Sequence, residues 1–313
     1  MKTGLRIVFL GTPDFAVPSL QTLLAGPHRV LAVVCQPDRP RGRGKNMQPP
    51  PVKVLAKAHD IPVLQPESIR TNAFYEQLGA LAPDLLVVVA YGKILPKSLL
   101  HLPPLGAVNV HGSLLPKYRG AAPIQWAVIN DETETGITVM QMDEGMDTGA
   151  ILMAQPTLIG PQETAGELFA RLALQGGTTL AEALERLQEG RLSATLQDHA
   201  LASSAPMLTK EHGHLDWRLP ARQLHCLIRG LDPWPSAYGF IAGRRHRFFG
   251  PEVITNQTRE APGTICRADG KGLLIATGTD SLLLREIQPE GKKRMPAATF
   301  LRGAHINPGI RIT

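Results

Sequence analysis

The sequence predicts an α/β protein of two domains, in which a doubly wound, mostly parallel sheet is followed by a smaller β-barrel. Three observations support this prediction. The chain has 313 residues, whereas single domains cluster near about 100–150 residues. Its first half alternates apolar strands with helical segments, and its last third carries short strands separated by turns. Residues 1–189 hold 16 Lys and Arg against 17 Asp and Glu, whereas residues 190–313 hold 17 against 10. We therefore expect a first domain over residues 1–190, a linker over 191–207 and a second domain over 208–313.

The elements of the first domain follow one another as βαβ units, which build parallel sheets. The run from Leu85 to Ala90 is apolar throughout, so we expect it at the centre of the sheet, buried on both faces. A long amphipathic helix from 163 to 190, interrupted at Gly176-Gly177, ends the domain. The predicted order before it is strand 5–10, helix 15–25, strand 30–35, helix 52–59, a short strand near 63, helix 71–81, strand 84–90, a strand through 109, helix 121–129 and strand 136–142.

The turn after the first strand, Gly11-Thr12-Pro13-Asp14, excludes the commonest ligand of such a sheet. A dinucleotide site needs Gly-x-Gly-x-x-Gly, so that the backbone can approach the pyrophosphate. Only Gly11 is present, and Pro13 and Asp14 stand where small residues are needed. A nicotinamide enzyme is therefore not predicted.

The loop from Gln36 to Pro51 carries basic side chains on alternate positions, namely Arg39, Arg41, Arg43 and Lys45. Its prolines and glycines predict a loop, and basic side chains on a loop can follow a phosphate backbone. A connection of this length inside a compact domain is more often functional or disordered than incidental. We therefore favour a role in binding over a plain surface loop.

Polar residues end the strand from Ala107 to His111. The period of two places Asn109 and His111 on the same face of the strand, and Gly112-Ser113 ends it. In open parallel sheets, ligands bind beyond the carboxyl ends of the strands. There, an amide can donate a hydrogen bond to a developing oxyanion, and a histidine can donate one or move a proton.

Asp147 is the third candidate, because it lies between glycines in the loop after the strand 136–142. If it meets His111, its carboxylate would orient the imidazole and favour the protonated form. Taken singly, such residues are usually structural, so the prediction depends on Asn109, His111 and Asp147 together. A metal site is a weaker interpretation, because no second His or Cys stands at ligand spacing. A nucleophilic Ser113 is weaker still, since it lacks the Gly-x-Ser-x-Gly context.

After a helix near 220–229, short strands recur near 237–241, 246–249, 263–266, 273–276 and 282–287, which is typical of a small barrel. The excess of basic residues in this part favours a polyanionic partner, of which nucleic acid is the commonest, although charge alone would equally suit a soluble basic domain. The candidates for phosphate contacts form two clusters, Arg244, Arg245 and Arg247, and Lys292, Lys293 and Arg294.

Composition and cysteine usage indicate the compartment. Cys35, Cys226 and Cys266 are scattered without paired spacing, which favours a reducing, cytoplasmic setting. The apolar run from Ile7 to Leu10 is too short for a signal peptide, and the longest later run is far below the roughly 20 residues that span a bilayer. We expect a cytoplasmic monomer without a membrane segment.

The string NVHGSLLPKYRGAAP at 109–123, followed by GMDTG at 145–149, resembles the active-site signature of the formyltransferases that use 10-formyltetrahydrofolate. The similarity extends over nearly the whole chain. FLGTPDFAVPSL, QPDRPRGRGK with PPPVK, VVVAYGKILP, APMLTKEHGHLDW and LDPWPSAY resemble, in order, segments of the members of this family that act on methionyl-tRNA.

The resemblance implies a Rossmann-like catalytic domain, an OB-like barrel that binds tRNA, and a reaction without a metal. The free α-amino group of methionine on initiator tRNA would attack the formyl carbon of 10-formyltetrahydrofolate. Asn109 and protonated His111 would stabilise the tetrahedral oxyanion. Asp147 would hold His111 charged and help to move a proton from the amine toward the leaving N10.

The resemblance also implies binding residues. The folate site would include the backbone around Val88, Ala90, Tyr91 and Ile94 for the pterin, with a pocket lined by Ser113, Leu114, Leu115 and Pro116. Arg43 matches an arginine that the family uses on the acceptor stem. Asn46-Met47 stand where a second basic residue is common, so a slightly weaker contact with phosphate is expected.

Three functions remain open at this stage. The first is formyl transfer to methionyl-tRNA. The second is formyl transfer from folate to a small amine, such as a nucleotide or an amino sugar, against which the basic barrel and the basic loop argue. The third is an RNA-binding module on an inactive domain, which the presence of Asn109, His111 and Asp147 disfavours.

Overall fold

The computed structural model describes residues 4–41, 46–255 and 259–313, and these divide into two compact units. The first unit comprises Met1–Pro123, Glu134–Leu158 and Phe169–Ala205. The second comprises Ile124–Thr133, Ile159–Leu168 and Pro206–Thr313. Residues 191–205, in the predicted linker, are thus grouped with the first unit.

The elements up to residue 205 include the predicted strands and helices, together with others that were not predicted. They are β1 Arg6–Gly11, α1 Val17–Ala25, β2 Arg29–Val34, β3 Arg39–Arg41, β4 Asn46–Gln48, α2 Pro51–Ala58, β5 Val63–Leu64, α3 Asn72–Ala80, β6 Leu85–Val89, α4 Lys97–Leu100, β7 Ala107–His111, β8 Arg119–Gly120, α5 Pro123–Ile129, β9 Glu134–Gln141, β10 Ile151–Leu158, α6 Ala165–Gln188 and β11 Ser204–Ala205.

Seven strands form one sheet in the order β10-β9-β7-β6-β1-β2-β5. The strands from β7 to β5 pair in parallel, whereas β9 and β10 are antiparallel. All five residues of β6 are buried, which confirms the prediction of a central strand and suits its β-branched run. The predicted mostly parallel, Rossmann-like sheet is confirmed, and β10 is an edge strand that the sequence did not predict.

The interruption predicted at Gly176-Gly177 is wrong, because α6 is continuous over 24 residues. The two glycines serve packing instead. A Cβ on Gly177 would lie 2.7 Å from Thr22 Oγ1 and 3.0 Å from the Pro18 carbonyl oxygen. Their small size therefore lets α6 lie directly against α1, and this close contact offsets the low helix propensity of glycine.

The basic loop contains a short hairpin of β3 and β4. Its base is fixed by Lys53, whose ammonium donates to Asp38 at 2.7 Å and 2.8 Å and to Gln65 Oε1 at 2.7 Å. Gln65 in turn donates to Asp38 at 2.7 Å. Arg43 and Lys45 lie outside the described residues.

The second unit carries the barrel. Its elements are α7 Ala221–Gly230, β12 Tyr238–Ile241, β13 Arg244–Ile254, β14 Ile265–Asp269, β15 Gly272–Ala276, β16 Ser281–Pro289, β17 Met295–Pro296 and α8 Ala297–Gly303. The strand order is β12-β13-β16-β15-β14, with β17 beside β16. The last residues close the sheet, because Phe240 N donates to Thr313 O at 2.7 Å and Ile312 N donates to Gly263 O at 2.8 Å. The predicted small barrel is confirmed, and β17 and α8 were not predicted.

The three cysteines are unbridged. Across the described ranges, no helix is long and apolar enough to cross a bilayer. Within the same ranges, no three metal-ligating side chains are grouped so that they could hold a metal ion.

Candidate active site

The end of β7 carries the two candidates predicted from this strand. Asn109 lies opposite Val88 of the parallel β6 and opposite Met140 of the antiparallel β9. His111 lies opposite Thr138. The Asn109 side chain is half-buried, and among the described residues none hydrogen-bonds its amide. The amide is therefore available to donate to a ligand at this edge of the sheet.

His111 is 6% exposed and has a protein acceptor near each ring nitrogen. Its Nε2 lies 2.9 Å from the Tyr118 carbonyl oxygen, and because a carbonyl only accepts, this nitrogen must carry a proton. Its Nδ1 lies 3.7 Å from Asp147 Oδ2, which is an ion-pair contact but is longer than a hydrogen bond. A neutral ring would turn a lone pair toward the carboxylate, whereas an imidazolium would donate toward both acceptors.

Asp147 is held by its own backbone geometry and by a neighbouring amide. Its φ is 54°, a left-handed conformation that Asp tolerates better than most residues. Gly120 N donates to Asp147 Oδ2 at 2.8 Å, so the same carboxylate oxygen meets both a backbone amide and His111. The structure therefore brings His111 and Asp147 together at the end of β7.

A glutamine that the sequence analysis missed fixes the loop of Asp147. Gln197 is 7% exposed, and its Nε2 donates to the carbonyl oxygens of Asp147 at 2.9 Å and Gly149 at 2.7 Å. Its Oε1 accepts from Arg119 Nε at 3.1 Å and Nη2 at 2.6 Å. Because arginine only donates, this pair fixes which end of the amide faces the loop. Gln197 lies about 50 residues from Asp147 in a segment without periodicity, so no sequence pattern indicated it.

The turn after β7 is fixed by a second hydrogen-bond network. Ser113 is fully buried, and its hydroxyl donates to Lys117 O at 2.7 Å. Thr138 Oγ1 donates to Ser113 O at 2.7 Å and accepts from Leu115 N at 3.1 Å. Tyr118 N donates to Ser203 Oγ at 2.9 Å. These bonds hold the Tyr118 carbonyl in place against His111, and they occupy the Ser113 hydroxyl.

The residues predicted around the pterin lie at the end of β6, next to β7. The side chains of Val88 and Tyr91 are buried in the core. Burial, with Cys35 nearby, raises the pKa of the Tyr91 phenol to about 12. Ala90 is exposed, with a φ of 47°, and the Ile94 side chain is 58% exposed. What this segment can present to a ligand is thus its backbone near Ala90 and the side chain of Ile94.

The residues predicted to line the pocket have different environments. Leu115 is buried, whereas Leu114 and Pro116 are half-buried. Leu114 packs against β9, because a Cβ on Gly136 would lie 2.6 Å from its Cδ2. All three follow β7 and therefore lie at the same sheet edge as Asn109.

The predicted phosphate contacts of the first unit are only partly described. Arg39 is exposed on β3 and pairs with Gln48 across the hairpin. Arg41 pairs with Asn46 through the same strand pairing. Arg43 and Lys45, as noted, lie beyond the part of the chain that the structure describes.

The basic residues of the second unit are used in different ways. Arg244, Lys292 and Lys293 are exposed and Arg247 is half-buried, whereas the Arg245 guanidinium stacks on the Tyr238 ring at 3.7 Å. Arg294 donates to Asp232 Oδ2 at 2.9 Å and to Glu286 Oε2 at 2.6 Å, and it covers the Phe249 ring at 4.0 Å. Burial raises the pKa of the Asp232 carboxyl, against the lowering effect of Arg294. Arg294 therefore already has partners for its charge.

Comparisons with known proteins give matches over nearly the whole chain. The family model described as formyl transferase matches residues 5–184, and the model described as formyl transferase, C-terminal domain, matches residues 207–305. The methionyl-tRNA formyltransferase of Desulfotalea psychrophila is 59% identical, over 97% of this chain and 94% of that protein. That of Geobacter metallireducens is 50% identical, over 99% of each.

A solved structure shares the fold. HypX from Aquifex aeolicus in complex with tetrahydrofolic acid superposes with a TM-score of 0.65 at 16% identity, over 95% of this chain and 47% of that one. The chain thus spans about half the length of HypX. At this identity the likeness concerns the fold alone.

Proposed function

The chain belongs to the formyl transferase family, and we propose that it transfers the formyl group of 10-formyltetrahydrofolate to the free α-amino group of methionine on initiator methionyl-tRNA. The product is N-formylmethionyl-tRNA, which serves translation initiation. The single observation that carries the chemistry is the contact of 3.7 Å between His111 Nδ1 and Asp147 Oδ2 beside Asn109. The relatives at 59% and 50% identity support methionyl-tRNA as the acceptor.

The reaction needs a donor aimed at developing negative charge. The amine nitrogen attacks the formyl carbon, a carbon–nitrogen bond forms, and the carbonyl oxygen becomes an oxyanion. In this proposal the Asn109 amide donates to that oxyanion, because among the described residues it has no other hydrogen-bond partner. One such donor typically lowers the barrier by about 3–4 kcal/mol.

His111 supplies positive charge and a proton route. Its Nε2–H donates to the Tyr118 carbonyl at 2.9 Å and its Nδ1 faces Asp147, so in this proposal the imidazolium stabilises the oxyanion through its positive charge. Asp147 stabilises the imidazolium and accepts the proton that the amine releases. When the tetrahedral intermediate collapses, the bond from carbon to N10 breaks and the proton passes to N10. The amine must be neutral to attack, and with an ordinary pKa near 7.7–8.0 the rate should fall at acid pH.

The binding sites follow as part of the proposal. The folate would lie against the backbone near Ala90 and the side chain of Ile94, and against the turn after β7. The tRNA phosphates would meet Arg39, Arg41, Arg43 and Lys45 in the first unit, and in the second unit Arg244, Arg245, Arg247, Lys292, Lys293 and, less strongly because of its partners, Arg294.

The domain boundaries and the cellular setting also remain proposals. We propose a catalytic domain over 1–190, a linker over 191–207 and a tRNA-binding barrel over 208–313, working as a cytoplasmic monomer. The three unbridged cysteines support a reducing compartment. Size-exclusion chromatography with light scattering tests the monomer, which a mass near twice 33.9 kDa would contradict.

The acceptor is tested by offering several amines to the native chain. Transfer of radiolabelled formyl from 10-formyltetrahydrofolate to methionyl initiator tRNA is expected to exceed transfer to methionyl elongator tRNA, a nucleotide amine or an amino sugar. Transfer to a small amine but not to methionyl-tRNA would favour the alternative function. If no acceptor is formylated although folate binds, the proposal that the chain is a formyltransferase is contradicted.

A further inference from the structure

The chain has three tryptophans, and two of them make contacts within the fold. Trp126 Nε1 donates to the Pro206 carbonyl oxygen at 2.8 Å, and its ring meets the His212 ring at 5.8 Å. Trp217 is 4% exposed and packs edge-on against Phe248. Trp234 is 54% exposed, and within the described ranges it has neither a ring partner nor a hydrogen bond. Its indole thus contributes little to the barrel core.

The loop that carries Trp234 is well fixed. Pro233 and Pro235 flank the indole and restrict φ on both sides. Ser236 N donates to Leu231 O at 2.9 Å, and Ser236 Oγ donates to Pro233 O at 2.7 Å. An exposed apolar side chain held by a fixed loop loses little conformational entropy when it binds a partner.

The two basic clusters predicted from the sequence meet near this loop. Arg294, in the turn after β16, donates to Asp232 at 2.9 Å, two residues before Trp234. In the same turn Glu290 N donates to Arg245 O at 3.1 Å, which joins this turn to the start of β13. One hydrogen bond therefore connects the Trp234 loop to the cluster at 292–294, and a second connects that turn to the cluster at 244–247.

The charges that remain unpaired here are mostly positive. Arg244, Lys292 and Lys293 are exposed and have no ion-pair partner within the described part of the chain. Arg294 pairs with the carboxylates of both Asp232 and Glu286 and offsets one of their two negative charges, and Glu290 is a further exposed carboxylate of the turn. We call Trp234, Arg244, Lys292 and Lys293 the Trp234 patch.

An exposed indole on a loop that is hydrogen-bonded to a turn with exposed, unpaired cations is a combination that suits unpaired nucleotides, because the ring can stack on a base while the cations meet phosphates. We propose that the Trp234 patch binds an unpaired nucleotide of the tRNA, with the Trp234 indole stacked on its base. This inference rests on the proposed function, since the tRNA is the polynucleotide that the reaction brings to the protein. This contact with a base would add to the phosphate contacts expected from the basic residues of the barrel.

The test compares Trp234→Ala and Trp234→Tyr with the native chain. Trp234→Ala is expected to weaken methionyl-tRNA binding about 5- to 100-fold, as for the loss of one stacked base, and to raise KM for the tRNA with kcat at saturation unchanged. Trp234→Tyr keeps an aromatic face and should retain most of the affinity. Met207→Ala, at another exposed apolar residue of the same unit, is the control and should change nothing.

The dependence of affinity on salt separates the indole from the cations. Trp234→Ala should leave the slope of log K against log salt unchanged, because it removes no charge. The pair Lys292→Ala and Lys293→Ala together should reduce that slope by about 1–2, as for the loss of two phosphate contacts. Lys271→Ala, at an exposed lysine of the β14–β15 turn, is the matched control.

Stacking also has a spectroscopic signature. Single-stranded RNA should quench the fluorescence of the native chain more than blunt duplex RNA of the same length, and Trp234→Tyr should lose this difference. Native affinity in Trp234→Ala would overturn the inference even if formyl transfer is normal, and so would equal quenching by single-stranded and duplex RNA. Failure of the native chain to formylate methionyl-tRNA would instead overturn the proposed function.

Discussion

His111 in the first unit is 6% exposed and faces an acceptor with each ring nitrogen, whereas Lys292 and Lys293 in the second unit are exposed and lack ion-pair partners among the described residues. The first arrangement holds the imidazole in one orientation, as groups that act on a transition state require. The second leaves charge free to follow a polyanion, whose attraction tolerates variable geometry. The difference predicts that substitutions in the first unit act on kcat and those on the barrel surface act on affinity.

Asn109→Ala is expected to have the largest effect, a fall in kcat. Removal of the amide that donates to the oxyanion should lower kcat about 100- to 1,000-fold, with methionyl-tRNA affinity unchanged. Single-turnover transfer with saturating folate and tRNA measures it, and Asn72→Ala, at an exposed residue of α3, is the control. A change in tRNA affinity with native kcat would reverse the roles given to the two units.

A smaller loss of kcat is expected from Gln197→Ala, because the carboxylate of Asp147 would lose its fixed position without losing its charge. We expect about a 10- to 100-fold fall in kcat with little change in KM. Gln197→Glu should fail as well, since a carboxylate cannot donate to the Asp147 and Gly149 carbonyls.

Gln175→Ala is the matched control for Gln197, because Gln175 Nε2 also donates to a backbone carbonyl, that of Gln155 at 2.9 Å. It should leave kcat and KM unchanged. Equal losses in the Gln175 and Gln197 variants would show a general effect on stability and would remove the positioning role.

The barrel itself contains both kinds of cation, and Arg294→Ala against Lys293→Ala separates them. Arg294→Ala leaves the buried Asp232 without its partner and should lower the free energy of unfolding by about 1–2 kcal/mol. Lys293→Ala should leave stability within about 0.5 kcal/mol and reduce the salt slope of tRNA binding by about 1. Denaturant unfolding and binding titrations at several salt concentrations measure both, and the opposite pattern would contradict the assignment.

The smallest effect concerns His225 in α7. Burial, with Arg229 and Arg222 nearby, lowers its pKa to about 4. Below about pH 6.5, His225 binds a proton in the unfolded chain but not in the folded chain. The free energy of unfolding therefore falls between about pH 6.5 and 4, by on the order of 1 kcal/mol near pH 5.5. His225→Gln, which cannot titrate, should flatten this part of the stability curve. An unchanged pH dependence in the variant would place the proton uptake elsewhere.

The same contrast explains what the sequence could predict. The strands of the sheet and the barrel were predictable because burial imposes a local apolar pattern on them. The positions of Asn109 and His111 at the end of β7, and of Asp147 in the loop after β9, were predictable because strand periodicity and glycines mark them, whereas their catalytic roles are proposals. Gln197 was not, because its contacts to Asp147 join residues about 50 apart in segments without a pattern.

Two further sites show where local signals mislead. Gly176-Gly177 predicted a break in α6. The helix continues, because the small size of the glycines lets α1 pack closely against it. Arg294 looked equivalent to Lys292 and Lys293 in the sequence, but long-range contacts to Asp232 and Phe249 use its guanidinium. In both cases tertiary packing decides the role, and packing leaves no local pattern.

The most direct test of the central claim is formyl transfer to methionyl initiator tRNA by His111→Ala, with His101→Ala, at an exposed histidine of the same unit, as the control. The account predicts that transfer falls at least about 100-fold in His111→Ala, while folate and tRNA binding persist, and that His101→Ala behaves as the native chain. Native transfer rates in His111→Ala would contradict the account, because the chemistry would then not take place at the end of β7.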